Sequence, residues 1–242
     1  MIKRFNLYNA VTLNGQATPG SSSGDAIKAV QNTAETKLAK NYDIAFSGIT
    51  REEIAASGQS LIIFALSIIF VYFFLAAQYE SYMLPFAVIF SLPIGVAGAY
   101  WSTYFASLQN NIYFQIALIM LIGLLAKNAI LIVEFAVQRR KSGYALYEAA
   151  LDGAKVRLRP ILMTSFAFII GLLPLVLATG VGAKGNNSIG TGAAGGLLVG
   201  TLIGVFVIPV LFVMFQWLQE KVSPSTRATI AEAQKNNRSE QA

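Results

Sequence analysis

"LLAKNAILIVEF", residues 124–135, places a lysine inside an otherwise apolar run. The fifteen residues ahead of it, Ile112 to Ala126, carry no formal charge, and no second charge appears until Glu134. Lys127 lies about 15 residues from the start of the run and about 12 from Arg139. At roughly 1.5 Å of rise per helical residue, that is near the middle of a bilayer. A lysine at that depth costs about 2.5–3.5 kcal/mol on insertion scales, and such residues face a partner or a wet cavity. Its stem is too short to carry the ammonium comfortably to either interface. The rest of the chain must therefore show whether this helix crosses a membrane, and what answers its charge.

Composition favours a membrane. Of 242 residues, 55% are hydrophobic and only 12% are charged, about half the charge of an ordinary soluble domain. So little polar cover would not keep a monomer in solution. The net charge of +6 raises nucleic acid as a partner, but the basic residues cluster beside apolar segments and in the tail. Aromatics are not interleaved with them as in a single-strand binder, so nucleic acid is not expected. Cysteine and histidine are both absent, which excludes disulfides and thiol chemistry and removes the usual soft metal ligands.

Five long apolar stretches follow residue 58: Leu61–Ala77, Leu84–Ala106, Ile112–Ala136, Ile161–Thr179 and Ser188–Phe215. Each meets or nearly meets the ~20 residues that a helix needs to cross a bilayer, and none carries the polar stripe of a soluble buried helix. The fold expected is mostly α and integral to the membrane. Its helices fall near 58–78, 84–106, 112–137, 160–179 and 188–216, with a basic amphipathic segment over 138–159 and a polar tail over 221–242. Pro160 reads as the first turn of the fourth span, and Pro93, Pro174 and Pro209 read as kinks. Gly196, Gly200 and Gly204 form a small-xxx-small face for close helix packing.

Residues 1–57 read as a small water-facing α+β piece. "RFNLYNAVTLNGQA" suggests a strand, "TPGSSSGD" a turn, and "YDIAFSGI" a second short strand. Between them Ile27, Val30, Ala34 and Leu38 fall at helical spacing. Such a β-α-β unit buries too little surface to be stable alone. The N-terminus has two basic residues but no apolar stretch of signal length behind it, so the chain is expected to be part of a longer product.

Charge sets the orientation. Arg139, Arg140, Lys141, Lys155, Arg157 and Arg159 lie between the third and fourth spans, and Lys221, Arg227, Lys235 and Arg238 follow the fifth. "SLQNN" has no charge and "GVGAKGNN" only Lys184. The positive-inside rule makes the basic loop and tail cytoplasmic and the N-terminal piece periplasmic. Glu134 shares the face of Lys127 but is two turns away, nearer Arg139 or Arg140, and no other span holds Asp or Glu. The carboxylate partner of Lys127 is therefore expected from outside this chain. A lysine whose partner alternates between charged and neutral is a proton-coupling element.

Four stretches carry a family resemblance: "FFLAAQYESYMLPFAVIFSLPIGVAGA", "YFQIALIMLIGLLAKNAILIVEFA", "RLRPILMTSFAFIIGLLPLV" and "NSIGTGAAGGLL". Together they resemble the last five transmembrane helices of AcrB-type pumps, the hydrophobe/amphiphile branch of the resistance–nodulation–division (RND) permeases. "LNGQATPGSSSGDAIKAVQ…YDIAFSG" looks like the end of that family's second periplasmic loop, so residues 1–57 are expected to be a remnant of the porter domain. The resemblance spans about residues 10–215, the C-terminal quarter of such a pump.

The resemblance implies a secondary transporter of the bacterial inner membrane and no enzyme: a proton/drug antiporter, working as a homotrimer joined to a periplasmic adaptor and an outer-membrane channel. No cofactor or metal is implied. Lys127 matches the lysine that pairs with two aspartates on a helix absent here, Thr164 a threonine of the same relay, and Arg157 an arginine near its cytoplasmic end. Asn128 is adjacent to the relay lysine. Outside the relay, Thr164 could instead bond back to a helical carbonyl, and Arg157 could be an ordinary cytoplasmic-side cation. The family's drug contacts lie mostly in segments this chain lacks. Two rivals are a heavy-metal RND exporter and a non-transporting assembly module.

Overall fold

The computed structural model describes residues 3–15, 18, 23–39, 41–57, 60–180 and 183–222. The tail beyond Val222 and part of the 18–25 turn cluster lie outside them. The order is β1 (Lys3–Phe5), β2 (Tyr8–Ala10), α1 (Ser23–Lys37), α2 (Ile49–Ser57), α3 (Ser60–Tyr79), α4 (Leu84–Ile89), α5 (Leu92–Phe105), α6 (Ile112–Lys141), α7 (Leu146–Val176) and α8 (Ala183–Val222). Among the described residues, five segments are long and apolar enough to cross a membrane: Ile62–Tyr79, Leu84–Phe105, Ile112–Lys141, Leu146–Val176 and Ala183–Val222. The mostly α, five-span membrane fold expected from the sequence is the fold observed.

The N-terminal piece departs from the β-α-β expectation. β1 and β2 pair antiparallel, Lys3 opposite Ala10 and Phe5 opposite Tyr8, turning through Asn6 and Leu7, both at positive φ as a two-residue hairpin requires. The stretch 42–47 forms no strand. A strand needs a neighbour to satisfy its backbone, and the hairpin is already closed on itself. The amphipathic helix does form, with Ser23 donating to Glu53 to link α1 with α2. Its apolar face stays open: Val30 is 47% exposed and α1 has no buried residue.

In the bundle, α8 packs against α4, α5, α6 and α7. The core is built from Phe114, Leu121 and Ile132 of α6, Ile161 of α7, Leu197 and Phe212 of α8, and Val88 of α4. Close approach of α8 depends on glycine. A Cβ on Gly196 would fall 2.3 Å from Leu121 Cδ2 and 2.9 Å from the Gly95 carbonyl oxygen, and one on Gly200 would fall 2.5 Å from Leu125 Cδ2. Ser102 of α5 then reaches the Thr191 carbonyl of α8 at 3.0 Å. This face serves packing within the chain.

Pro93 does mark an interruption, while the Pro160 reading needs correction. The second span is broken, ending one helix at Ile89 and starting the next at Leu92, with Pro93 in the first turn of α5. Pro tolerates a first turn because the N–H it lacks is unused there. Pro160, read as a first turn, lies inside a continuous α7 that begins at Leu146. The basic segment 138–159 is thus no separate element: its start finishes α6 and its end begins α7. Gly143 makes the reversal between them. At φ 89° it takes the left-handed position after α6, its N–H bonding the Arg140 carbonyl and that of Tyr144 the Arg139 carbonyl, the paired closure of a Schellman motif.

Candidate functional site: the uncovered stripe of α6

Among the spans, α6 is the most covered by its neighbours. Asn111 starts it, accepting from Phe114 N–H and donating to Ser188 of α8, both at 2.9 Å. Neighbours bury Ala117, Leu118, Leu121, Ile122, Leu125, Ala126, Ala129, Ile132, Val133 and Ala136. Ahead of the terminal Lys141, its exposed residues are Ile116, Gly123, Lys127 and Gln138, steps of seven, four and eleven that follow the helical repeat along one line. The ammonium of Lys127 therefore rises from the one stripe of α6 that no described helix covers. Among the described residues no carboxylate pairs with it.

Three contacts set α7 against α6, beside that stripe. Asn128 meets Ser165, Phe135 meets Arg157, and Ala136 lies against Gly153. Residue numbers rise on α6 as they fall on α7, so the helices are antiparallel. Asn128 and Ser165 point at one another across the seam. In an antiparallel pair the preceding residue on each helix turns about 100° toward the same side. Lys127 and Thr164 therefore emerge on the same side of the α6–α7 seam, and both are exposed.

The four residues singled out in the sequence are not joined to one another by hydrogen bonds among the described residues. Thr164 Oγ1 donates to the Ile161 carbonyl at 3.1 Å. Arg157 stacks over Phe135, 5.0 Å from the ring centroid, and its buried Nε has no hydrogen-bond partner among the described residues. Asn128 is turned inward. It donates to Ser165 Oγ at 3.0 Å and to Thr201 Oγ1 at 3.4 Å, and the two hydroxyls are 3.1 Å apart.

Sequence reasoning missed Ser165 and Thr201, whose only signal was a hydroxyl at a position that helical spacing turns inward. It also misplaced Glu134, which accepts from Gln138 at 3.1 Å. Arg139 pairs instead with Asp152 at 2.7 Å. Arg140 holds Glu220 with two bonds, Nε to Oε1 at 2.8 Å and Nη2 to Oε2 at 2.9 Å. Each arginine takes a carboxylate that the fold brings to the helix end, from α7 and α8.

These features define a class: a multi-pass helical membrane protein with one mid-membrane cation facing out of its own bundle. The sequence profile described as the AcrB/AcrD/AcrF family matches residues 1–216, and the chain belongs to that family. It is 42% identical over 90% of its length to the multidrug resistance protein MdtF of Escherichia coli, covering 21% of that protein. It is 40% identical over 94% of its length to the toluene efflux pump membrane transporter TtgB of Pseudomonas putida, covering 22% of it. The solvent-resistant pump membrane transporter SrpB of Pseudomonas putida is 40% identical over 88% of the chain and 20% of its own length. The chain thus spans about a fifth of the relatives it matches.

Proposed function

We propose that the chain is the C-terminal part of an inner-membrane efflux permease that exports drugs and other amphiphilic compounds in exchange for protons. The observation that carries this reading is the position of Lys127. A cation near mid-membrane, on the open stripe of an otherwise enclosed helix, calls for a carboxylate from a helix outside these residues. An aspartate pair on such a helix would hold the ammonium when ionised and release it when protonated, making the packing of α6 depend on proton occupancy. Thr164 stands on the same side of the seam as the next relay group, and Arg157 lies toward the cytoplasmic end. Asn128 serves as a positioning residue, fixing the rotation of α6 that presents Lys127.

In this reading residues 1–57 belong to the periplasmic porter, 58–220 to the transmembrane bundle and 221–242 to a cytoplasmic tail. Such a permease works as a homotrimer with a periplasmic adaptor and an outer-membrane channel. The relatives' names, multidrug, toluene and solvent, support hydrophobic and amphiphilic cargo. The test is dye efflux from cells carrying the complete permease, expected to collapse within minutes of adding an uncoupler at constant ATP. Efflux that survives the uncoupler and falls only with ATP would overturn proton coupling.

Orientation has its own test. Basic residues gather at the α6–α7 turn and at the end of α8, so reporters fused at Ser142 or after Pro224 should read cytoplasmic. Reporters at Asn110 or Asn186 should read periplasmic. A periplasmic signal from Ser142 would contradict the arrangement.

A further inference from the structure

We propose that the small cavity beside Asn128 binds a single water molecule as a fixed part of the bundle. The cavity measures about 10 Å³ and is lined by Ser91 in the break between α4 and α5, by Leu125 and Asn128 of α6, by Ile161 of α7, and by Thr201 of α8. That is about the smallest space that holds one water. Its polar lining is well enclosed: Asn128 is 7% exposed, Ser91 6% and Thr201 4%.

The hydrogen-bond count around the cavity does not close without a guest. The Asn128 amide nitrogen spends its hydrogens on Ser165 and Thr201. Its carbonyl oxygen Oδ1 has no donor among the described residues. Ser165 and Thr201 share one O···O contact, which uses one of their two hydroxyl hydrogens, and the other has no acceptor among the described residues. A hydroxyl rotates to suit its partners. Thr201 donates to Ser165, so the spare hydrogen belongs to Ser165. Ser91 has committed its own hydrogen to the Val88 carbonyl at 2.6 Å, leaving its oxygen free to accept.

Two open acceptors, Asn128 Oδ1 and Ser91 Oγ, are what a single water satisfies. It donates one hydrogen to each, within the two to four bonds that a buried water makes. A metal cation suits the site less well. Only neutral oxygens line it, no carboxylate is among them, and hard cations take six or more oxygen ligands. The water then ties the α4–α5 break to α6, on the inner side of the helix whose outer side carries Lys127.

The experiment is an experimental structure of the natural polypeptide carrying this sequence, at a resolution that shows ordered water, together with its Asn128→Leu variant. The expected result is one peak about 2.7–3.2 Å from Asn128 Oδ1 and Ser91 Oγ, absent in the variant. An empty wild-type cavity would overturn the proposal. So would an amide rotated onto a protein donor, or a peak ringed by five or more oxygens at cation distances. The wild-type map decides alone should Asn128→Leu not assemble.

Discussion

Replacing Lys127 with alanine in the complete permease should reduce drug resistance to that of a strain lacking the pump, with membrane expression and assembly largely retained. The expectation of retained folding rests on exposure. Lys127 lies on the open stripe of α6, so its removal leaves the packed face untouched. It also removes a mid-membrane charge costing about 2.5–3.5 kcal/mol to insert, so loss of transport would not come from a lost ion pair among the described residues. Thr164→Ala should impair efflux less, since its hydroxyl also bonds the Ile161 carbonyl and the helix survives without it. Arg157→Ala should impair it least. Resistance and dye efflux in the three variants, at matched expression, give the order, and wild-type resistance in Lys127→Ala would remove the relay from the account.

The second large effect is on stability. Arg140→Leu should destabilise the folded protein by about 3 kcal/mol. Arg140 and Glu220 form a two-bond pair with side chains only 10% and 16% exposed. Arg140 Nη1 also donates to the Tyr144 carbonyl at 2.8 Å, and Gln216 donates to Glu220 at 3.1 Å. Losing the guanidinium leaves a carboxylate in a nearly enclosed site, and that desolvated charge, more than the missing attraction, sets the cost. Arg140→Leu combined with Glu220→Leu should therefore recover most of the loss. Unfolding in detergent, followed for both variants, checks this; a double variant as unstable as the single one would show that the pair is held together by something other than charge.

Much of the membrane fold was legible because its signals are local. Apolar length marks a span regardless of what packs on it, so the five spans could be read from composition and run length alone. The break at Ser91, the continuity of α7 through Pro160 and the missing strand at 42–47 were not legible, since each depends on neighbours. Pro160 sits mid-helix because α7 starts at Leu146, directly after the Gly143 closure. Lys127 stood out as a charge in an apolar run, whereas Ser165 and Thr201 are small hydroxyls of a kind common in such helices. Only the seam between α6, α7 and α8 shows that they meet Asn128. The arginine partners were misread because sequence proximity favoured Glu134, while the fold delivers Asp152 and Glu220 from other helices.

The central claim is that the group answering Lys127 lies outside these 242 residues. It is tested most directly by expressing this chain alone in an efflux-deficient, drug-sensitive strain and measuring dye accumulation with and without an uncoupler. The account predicts that the chain reaches the membrane and that accumulation equals that of the empty strain under both conditions. Uncoupler-sensitive export that disappears with Lys127→Ala would contradict it.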